Sequence, residues 1–251
     1  MYRRCVLITG TVIPNVEIDG HETLDPSLRE GEYRDVGLRR KRYLKTLAGY
    51  SSSVLLPMFF LENSRYDFER DNEFAKVFAT GKIHLVKCPE SHGKAQGKGY
   101  QEFEMLDSFI DVMGGKFHSF LKISGRYLFN NVDRFLDGPP ESVWIDRWRR
   151  REVATTSIFL STVSFYQKHI MGLFREADDR DGAWIEKQLY ARLRTVGGHE
   201  APELLPVEPV QQTWREGDSR GGVMPRERMR VGIRNAERTV LRAAGVREIL
   251  L

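Results

Sequence analysis

Short apolar runs alternate with longer segments of helical periodicity along the first half of the chain. The runs have the length of buried strands and lie at Cys5 to Thr9, Val54 to Leu61, Lys82 to Lys87 and Phe117 to Ser124. Between them we predict two helices, one over Asp25 to Gly49, made basic by Arg39 to Arg42, and one over Gln101 to Met113. This alternation predicts βαβ units, and therefore an α/β fold with a mostly parallel central sheet flanked by helices.

Beyond the fourth strand the pattern is less regular. We predict a short helix over Asn131 to Asp137, a strand over Ser142 to Trp148 and an amphipathic helix over Trp184 to Arg194. The apolar segment from Thr155 to Gly172 begins with β-branched and aromatic residues, which favours a strand there. His199 to Gly222 is rich in Pro, Gly and Glu, and we expect it to form a loop that wraps around the ligand site of the domain.

The length and cysteine content suit a cytoplasmic protein. A chain of 251 residues can bury a full core without disulfides, and its two cysteines, Cys5 and Cys88, lie in apolar segments where reduced thiols are expected. The apolar run before Gly10 is shorter than a signal peptide or a membrane span. We expect one α/β domain over residues 1–222, followed by a basic amphipathic helix or tail over residues 223–251.

The net charge of +4 is modest, but it is concentrated at the carboxyl end. From Ser219 onward there are eight arginines and three glutamates, and four of the arginines recur every four residues: Arg226, Arg230, Arg234 and Arg238. This spacing predicts a basic helix. Three interpretations remain open: a solvated helix on one edge of the sheet, a contact with an anionic membrane surface, and nucleic-acid binding, which is the least favoured.

The stretch from Gly97 to Asn131 carries the main functional signal. A glycine-rich turn with Lys94 and Lys98 precedes a helix, and the next strand ends in Lys122, Ser124, Gly125 and Arg126. Open α/β sheets bind ligands beyond the carboxyl ends of their strands, so cationic and small residues there indicate an anionic ligand. The glycine spacing matches neither a Walker A motif nor a Rossmann fingerprint, which argues against those two nucleotide-binding classes.

Other candidate residues have two interpretations each. Glu62, Asn63 and Ser64 follow the second strand and either contact a base or ribose or form a turn. Tyr66 and Tyr100 either stack on a ligand ring or belong to the core. The six histidines lack metal-ligand spacing, and the acidic loop with Asp178, Asp179 and Asp181 is interpreted as a solvated turn rather than a cation site.

Four motifs together resemble a group of small bacterial glycosyltransferases that are encoded among genes for lipopolysaccharide O-antigen and capsule synthesis. They are Thr9-Gly10, Glu62-Asn63-Ser64, Gly97-Lys-Gly-Tyr100 with Glu102, and Lys122-Ile-Ser-Gly-Arg-Tyr127. In that group the last three read roughly ENS, GKGYGE and KITGRY. The resemblance covers about residues 5 to 190 and departs at Gln101, where a glycine is usual. No Asp-x-Asp motif follows the fourth strand, so dependence on manganese or magnesium stays open.

The resemblance implies a GT-A-like, Rossmann-like catalytic domain with a nucleotide-sugar half over about residues 1–130 and an acceptor half over about residues 131–222. It implies transfer of a sugar from a nucleotide-sugar donor to a saccharide or lipid-linked acceptor, in the cytoplasm or peripherally on the inner membrane. The donor-binding residues that it implies are Thr9, Gly10, Glu62, Asn63, Ser64, Lys98, Gly99, Tyr100, Lys122, Ser124, Gly125 and Arg126.

Such a transferase must stabilise the leaving diphosphate and deprotonate an acceptor hydroxyl. Arg126, Lys122 and Lys98 are the candidates for the first task, although Arg126 could instead close a strand end in a salt bridge and Lys122 could face solvent. The candidates for the second task are the carboxylates of Glu102, Asp146 and Glu186.

Two of these carboxylates also have purely structural interpretations. Glu102 could compensate a helix dipole, and Asp146 could pair with Arg147 or Arg149. The alternative functions are a non-catalytic basic module that binds nucleic acid or a membrane, and a nucleotidyltransferase, for which paired metal-binding carboxylates are not found in the sequence.

Overall fold

The computed structural model describes residues 2–13, 35–136, 142–211 and 225–249. The strands are β1 (Tyr2–Gly10), β2 (Met58–Glu62), β3 (Ile83–Lys87), β4 (Phe117–Ser124), β5 (Val143–Trp144), β6 (Arg147–Trp148), β7 (Val153–Ala154) and β8 (Ile158–Thr162). The α-helices are α1 (Val36–Ser53), α2 (Asn72–Ala79), α3 (Lys98–Met113), α4 (Val163–His169), α5 (Ile185–Arg194) and α6 (Pro225–Ala243).

The central sheet has six strands in the order β3-β2-β1-β4-β8-β5. The four strands β3, β2, β1 and β4 are parallel, whereas β8 runs antiparallel to both β4 and β5. The prediction of an α/β fold with a mostly parallel sheet is therefore confirmed. Strands β6 and β7 form a separate two-stranded ribbon.

Helices cover both faces of the sheet, and the side chains of β1 point alternately into the two cores that they form. Cys5 and Leu7 pack with residues of α3, α4 and α5, such as Phe103. Val6 and Ile8 pack on the opposite face with residues of α1 and α2. All four β1 side chains are fully buried, so this strand lies at the centre of the molecule and places its carboxyl end at the middle of one sheet edge.

The predicted elements of the first half correspond to observed ones, with shifted boundaries. The strand predicted over Val54 to Leu61 begins only at Met58, and the helix predicted from Gln101 begins at Lys98. The predicted helix over Asp25 to Gly49 is observed from Val36 to Ser53, and its first part lies outside the described residues. Helix α2 was not predicted, because it is short and its clearest signal is the capping residue Asp71, which accepts from the Glu73 and Phe74 amides.

The second half departs further from the predictions. The strand expected over Ser142 to Trp148 is two short strands, and the apolar segment from Thr155 is one strand followed directly by α4. The short helix near Asn131 is a 3₁₀ turn over Val132–Phe135, and the predicted helix over Trp184 to Arg194 is observed as α5. The loop predicted from His199 is described as far as Gln211, and the rest of it lies outside the described residues.

The carboxyl-terminal segment is helical, as predicted, and it packs on the domain. The Arg238 side chain of α6 is buried, and Ile249 forms a bridge with Trp148 of β6. The interpretation as a solvated helix on one edge of the sheet therefore does not hold at Arg238, which is buried, whereas Arg230 is exposed. The Arg226 side chain lies outside the description.

Two further sequence expectations concern thiols and membrane spans. Burial raises the pKa of the Cys5 thiol far above its usual range and that of Cys88 to about 11, so both are protonated at neutral pH. Within the described residues, no helix combines the length and apolarity that crossing a bilayer requires.

Candidate functional site

A cleft opens at the carboxyl ends of β1 and β4, beside the first turns of α3. It encloses about 590 Å³, the open solvent at its mouth included. The residues that line it are Thr9, Gly10, Thr11, Arg39, Tyr43, Lys98, Gln101, Glu102, Met105, Ser124 and Arg126. Six of the predicted site residues therefore meet in one place, and Arg126 and Lys98 share one cleft.

Three cationic side chains line this cleft from three different elements. Lys98 begins α3, Arg126 follows β4 and Arg39 belongs to α1. Arg39 is buried, and its Nε donates to the Thr11 carbonyl at 2.9 Å. Burial lowers the pKa of Arg39; Tyr43 opposes this shift, and the nearby charge of Arg126 adds to it. The two guanidinium groups thus act on each other across the cleft, and an anion between them would relieve that repulsion.

A buried ion pair forms the floor of the cleft. Lys122 is fully buried, and its Nζ lies 2.7 Å from Glu102 Oε1. The same ammonium donates to Ser124 Oγ at 2.9 Å and to the Thr156 carbonyl. The alternative in which Lys122 faces solvent is wrong, because β4 is a central strand and both of its faces are covered. Lys122 also does not line the cleft; it acts on the cleft through Glu102 and Ser124.

Glu102 is held ionised by the donors around it. Its Oε1 accepts from the Thr9 hydroxyl, from Ser124 Oγ at 3.0 Å and from Lys122. Burial alone would raise the pKa of Glu102, but Lys122 and the two hydroxyls outweigh it, so the pKa lies below its usual value. Burial lowers the pKa of Lys122, and Glu102 opposes this. Glu102 is therefore a weak base that fixes the geometry of the cleft floor.

Glu186 is the second carboxylate near this pair. It stands in the first turn of α5, where its Oε1 accepts from Thr156 Oγ1 at 2.9 Å, while the Thr156 carbonyl accepts from Lys122. Burial raises the pKa of Glu186 above its usual value, and the charge of Glu102 contributes in the same direction. A carboxylate with a raised pKa is a better proton acceptor than Glu102, whose pKa is lowered.

The Glu62-Asn63-Ser64 segment holds the loop that follows β1. Glu62 Oε1 accepts from the Val12 amide at 3.0 Å, and Asn63 Oδ1 accepts from Thr11 Oγ1 at 2.8 Å. Ser64 Oγ accepts from the Ile13 amide at 3.2 Å. None of the three lines the cleft as described, so their contacts support the turn interpretation and shape the cleft through residues 11–13.

The glycines of the predicted phosphate-binding turn are required by packing. A β-carbon at Gly99 would lie 2.3 Å from Ile185 Cγ2 of α5, and one at Gly97, where φ is 105°, would lie 1.9 Å from Asp179 Oδ2. Asp179 Oδ2 accepts from the Lys98 amide at 3.2 Å and so caps α3. The acidic loop therefore holds a helix start, and Lys94 pairs with Glu90 at 2.8 Å rather than reaching the cleft.

Gly10 and Gly125 also serve close packing at the strand ends. A β-carbon at Gly10 would lie 2.4 Å from the Phe60 ring, and one at Gly125 would lie 2.9 Å from the Thr9 carbonyl. The Gly125 amide donates to that carbonyl at 2.7 Å, which joins the ends of β1 and β4. These two glycines thus allow the strand ends that flank the cleft to approach each other.

Three further predicted residues lie apart from the cleft lining, as do Glu62, Asn63, Ser64, Gly99, Lys122, Gly125 and Glu186. Asp146 is buried and pairs with Arg238 of α6, not with Arg147 or Arg149 as the alternative had it. Tyr100 packs edge to face on Phe174, with ring centroids 4.9 Å apart. Tyr66 packs on Phe68 and donates to Asp71, so both tyrosines support the core interpretation.

Five residues of the cleft were not predicted as site residues: Thr11, Arg39, Tyr43, Gln101 and Met105. Arg39 belongs to a run of basic residues, and its neighbours Arg40 and Lys41 give the same local signal. Only the register of α1, which follows the cap at Asp35, decides that Arg39 and Tyr43 turn inward. At Gln101 the only sequence signal is the departure from the glycine that is usual in the motif.

Among the residues that the structure describes, no three His, Cys, Asp or Glu side chains lie close enough together to hold a metal ion. The acidic side chain of the cleft, Glu102, is bound to Lys122.

No protein-family model matches the chain, and no curated protein matches it. Among solved structures, it is similar to a candidate nucleotide-diphospho-sugar transferase from Desulfovibrio desulfuricans G20, at 9% identity and a TM-score of 0.48, over 77% of this chain and 76% of that one. It is also similar to the galactosyltransferase LgtC in complex with donor and acceptor sugar analogues, at 8% identity and a TM-score of 0.43, over 74% and 69% of the two chains.

Proposed function

We propose that the protein is a glycosyltransferase that takes its sugar from a nucleotide-sugar donor bound in the cleft. The observation that carries this proposal is the meeting of Arg39, Lys98 and Arg126 at the carboxyl edge of a parallel sheet. This is where open α/β sheets bind ligands, and the three cations suit the diphosphate of such a donor. The motif resemblance to bacterial glycosyltransferases, which rests on other residues as well, points to the same donor class.

The cations would serve the bond-breaking step. When the bond between the anomeric carbon and the diphosphate breaks, negative charge builds on the leaving phosphate. Arg126 offers a planar fork for two phosphate oxygens, and Lys98 supplies a compact charge from the start of α3. Arg39 is already oriented by the Thr11 carbonyl, so little freedom is lost when it binds an anion. A divalent ion, if the enzyme uses one, would add charge at the same oxygens.

The two carboxylates divide the remaining work. We assign Glu102 as a positioning residue, because three donors hold its Oε1 and keep it ionised. We assign Glu186 as the group that takes the proton of the acceptor hydroxyl, because its pKa is raised and it is adjacent to the cleft floor through Thr156. The donor-side residues of this assignment are Thr9, Gly10, Lys98, Ser124, Gly125 and Arg126.

The acceptor in this proposal is a saccharide or a lipid-linked saccharide of bacterial surface polysaccharide synthesis, used at the cytoplasmic membrane surface. Helix α6 supports that location. Its Met229, Ile233 and Val240 are 68%, 63% and 67% exposed, and their spacing puts them on one face of the helix. Exposed Arg230 lies near this face, so the helix presents apolar and cationic groups together, as surface-binding helices do.

A donor screen tests the proposal directly. UDP-, GDP-, dTDP- and CMP-linked sugars, each with and without manganese, are added while the melting temperature is followed. We expect one donor to raise the melting temperature and Arg126→Ala to weaken its binding by about 2 kcal/mol, because a charge-assisted contact is lost. Arg70→Ala is the matched control, since Arg70 is exposed and pairs with Asp67 outside the cleft. The proposal would be refuted if none of the donors raised the melting temperature. It would also be refuted if Arg126→Ala and Arg70→Ala weakened donor binding equally.

The role of Glu186 is tested by the pH dependence of transfer. A general base must be ionised, and the raised pKa of Glu186 places the acid limb of the rate profile above the usual glutamate range. We expect Glu186→Gln to lower kcat by about 10²-fold or more and to remove that limb, with donor affinity nearly unchanged. An acid limb that persists in Glu186→Gln would contradict this assignment and leave the donor site untouched.

A further inference from the structure

A second cationic concavity lies at the other end of α5 and has no part in the donor cleft. Three stretches of chain line it: residues 147–149 around β6, residues 194–202 after α5, and residues 245–248 after α6. It encloses about 710 Å³, its open side included. Its charged residues are four arginines and one glutamate, namely Arg147, Arg149, Arg194, Arg247 and Glu248. We call it the arginine pocket.

Arg147 is the buried arginine of this pocket, and hydrogen bonds hold its side chain in place. Its side chain is 5% exposed, and its Nη2 donates to the carbonyl of Arg247 at 2.7 Å and to that of Pro202 at 3.3 Å. Its Nη1 lies 3.5 Å from Glu248 Oε1, whereas its buried Nε has no hydrogen-bond partner. A buried guanidinium that keeps an unused donor carries a desolvation cost.

The other arginines add to the positive charge around Arg147. Burial lowers the pKa of Arg147; Glu248 opposes the shift, and the charges of Arg247 and Arg194 add to it. Arg149 and Arg247 are exposed at the pocket, and small residues such as Gly197 and Gly245 leave room between the guanidinium groups. Glu248 lies beside Arg147, and Glu152 Oε1 lies 3.9 Å from Arg194 Nη1. These two carboxylates do not balance four arginines, so the pocket is suited to an anion of more than one charge.

We propose that the arginine pocket binds a phosphate or diphosphate group of a ligand, independently of the donor cleft. Phosphate fits better than a single carboxylate, because it offers more acceptor oxygens to several planar arginine forks. The pocket is distinct from the cleft, because no residue lines both of them. The phosphate could belong to a soluble compound or to a lipid headgroup, and the experiment separates these sources.

Hydrogen-deuterium exchange can report on the two sites separately. Inorganic pyrophosphate is titrated into the full chain, and protection is followed in the segment that contains residues 245–249 and in the segment at the start of α3. The Ile249 amide donates to the Arg147 carbonyl, so binding at the pocket is expected to slow exchange there. A second titration uses vesicles of phosphatidylcholine with phosphatidylglycerol.

Charge reversals at neighbouring positions provide the matched comparison. Arg149→Glu changes a residue of the pocket, and Arg150→Glu makes the same change at an exposed neighbour outside the lining. We expect Arg149→Glu to raise the half-saturating concentration for protection of residues 245–249 at least tenfold, and Arg247→Glu to do the same. Arg150→Glu should change it less than twofold, and exchange at the start of α3 should be the same in all three variants as in the unmodified protein.

The outcomes divide cleanly. Protection of residues 245–249 by pyrophosphate that Arg149→Glu removes supports a soluble phosphate ligand. Protection by vesicles alone, removed by the same variant, supports a lipid headgroup. No protection with either probe, or equal losses in Arg149→Glu and Arg150→Glu, would overturn the proposal. None of these results depends on whether the cleft binds a nucleotide-sugar.

Discussion

Two ion pairs near the carboxyl edge of the sheet each join a buried cation to a carboxylate, but the pKa values of the two carboxylates shift in opposite directions. Under the cleft, Lys122 pairs with Glu102, and the side chains are 0% and 22% exposed. Under α6, Arg238 pairs with Asp146, and the side chains are 1% and 4% exposed. Yet the pKa of Glu102 is lowered and that of Asp146 is raised to about 6.

The difference lies in how completely each carboxylate is supplied with donors. Glu102 Oε1 receives an ammonium and two hydroxyl groups. Burial dominates at Asp146, where Oδ1 has no hydrogen-bond partner, and Arg238 is shared with a second carboxylate, Glu208. A carboxylate that receives several hydrogen-bond donors keeps a fixed charge at the edge of a binding site. A carboxylate that receives few donors mainly serves to attach a helix to the domain.

Removing the cation under the cleft should have the largest effect. Lys122→Met leaves Glu102 without its ammonium, and we expect a loss of about 3 to 5 kcal/mol in the free energy of unfolding, together with loss of donor binding. Lys116→Met, at an exposed position, is the control and should be nearly neutral. Urea denaturation measures both variants. A loss below about 1 kcal/mol would show that the Lys122–Glu102 pair contributes little to stability, contrary to the role given to it here.

Removing the cation under α6 should cost somewhat less. Arg238→Met leaves Asp146 and Glu208 together, but Asp146 can accept a proton because its pKa is already about 6. We therefore expect a loss of about 3 kcal/mol at pH 7.5 that becomes smaller at pH 5.5. Arg230→Met on the exposed side of α6 serves as the control. A cost that stays constant between the two pH values would contradict the difference between the pairs.

The pH dependence of stability sharpens the comparison further. The pKa of Asp146 is about 6 in the folded state and about 4 for an ordinary aspartate, so between these values the folded state holds the proton. The free energy of unfolding should therefore fall by roughly 2 kcal/mol as the pH rises through this window.

This contribution should be absent in Asp146→Asn. Asp107, whose pKa is also raised to about 6, titrates in both proteins and cancels in the difference between them. Denaturation curves at a series of pH values give that difference, and a difference independent of pH would count against the raised pKa of Asp146.

A single donor to Glu102 should account for the smallest effect. Thr9→Val removes one hydroxyl from Oε1, and we expect a loss of about 1.5 kcal/mol and a higher Glu102 pKa. Thr11→Val is the control because Thr11 donates to the neutral Asn63 amide oxygen. That variant should cost about 0.5 to 1 kcal/mol without moving the Glu102 pKa. Urea denaturation at neutral and acidic pH distinguishes them, and identical pH profiles would refute the role given to Thr9.

The site was partly predictable because strand ends are marked locally. Thr9, Gly10, Ser124 and Arg126 follow apolar runs, and parallel strands bring their carboxyl ends to one edge. Arg39 was not predictable, because several basic residues surround it in a helix and only packing selects the one that turns inward. Lys122 was placed on the correct strand, but its burial depended on Glu102 of α3 and the Thr156 carbonyl packing over its ammonium group on one face of the sheet.

The sequence alone determined the succession of strands and helices and the sheet edge at which polar residues gather, because runs of apolar side chains and their ends are properties of neighbouring residues. Only the tertiary structure decided which charges meet. Arg238 and Asp146 are 92 residues apart in the chain, and their pairing follows from how α6 packs on the domain. Partner choice for a buried charge depends on burial and donor geometry in three dimensions, and spacing along the chain carries no record of either.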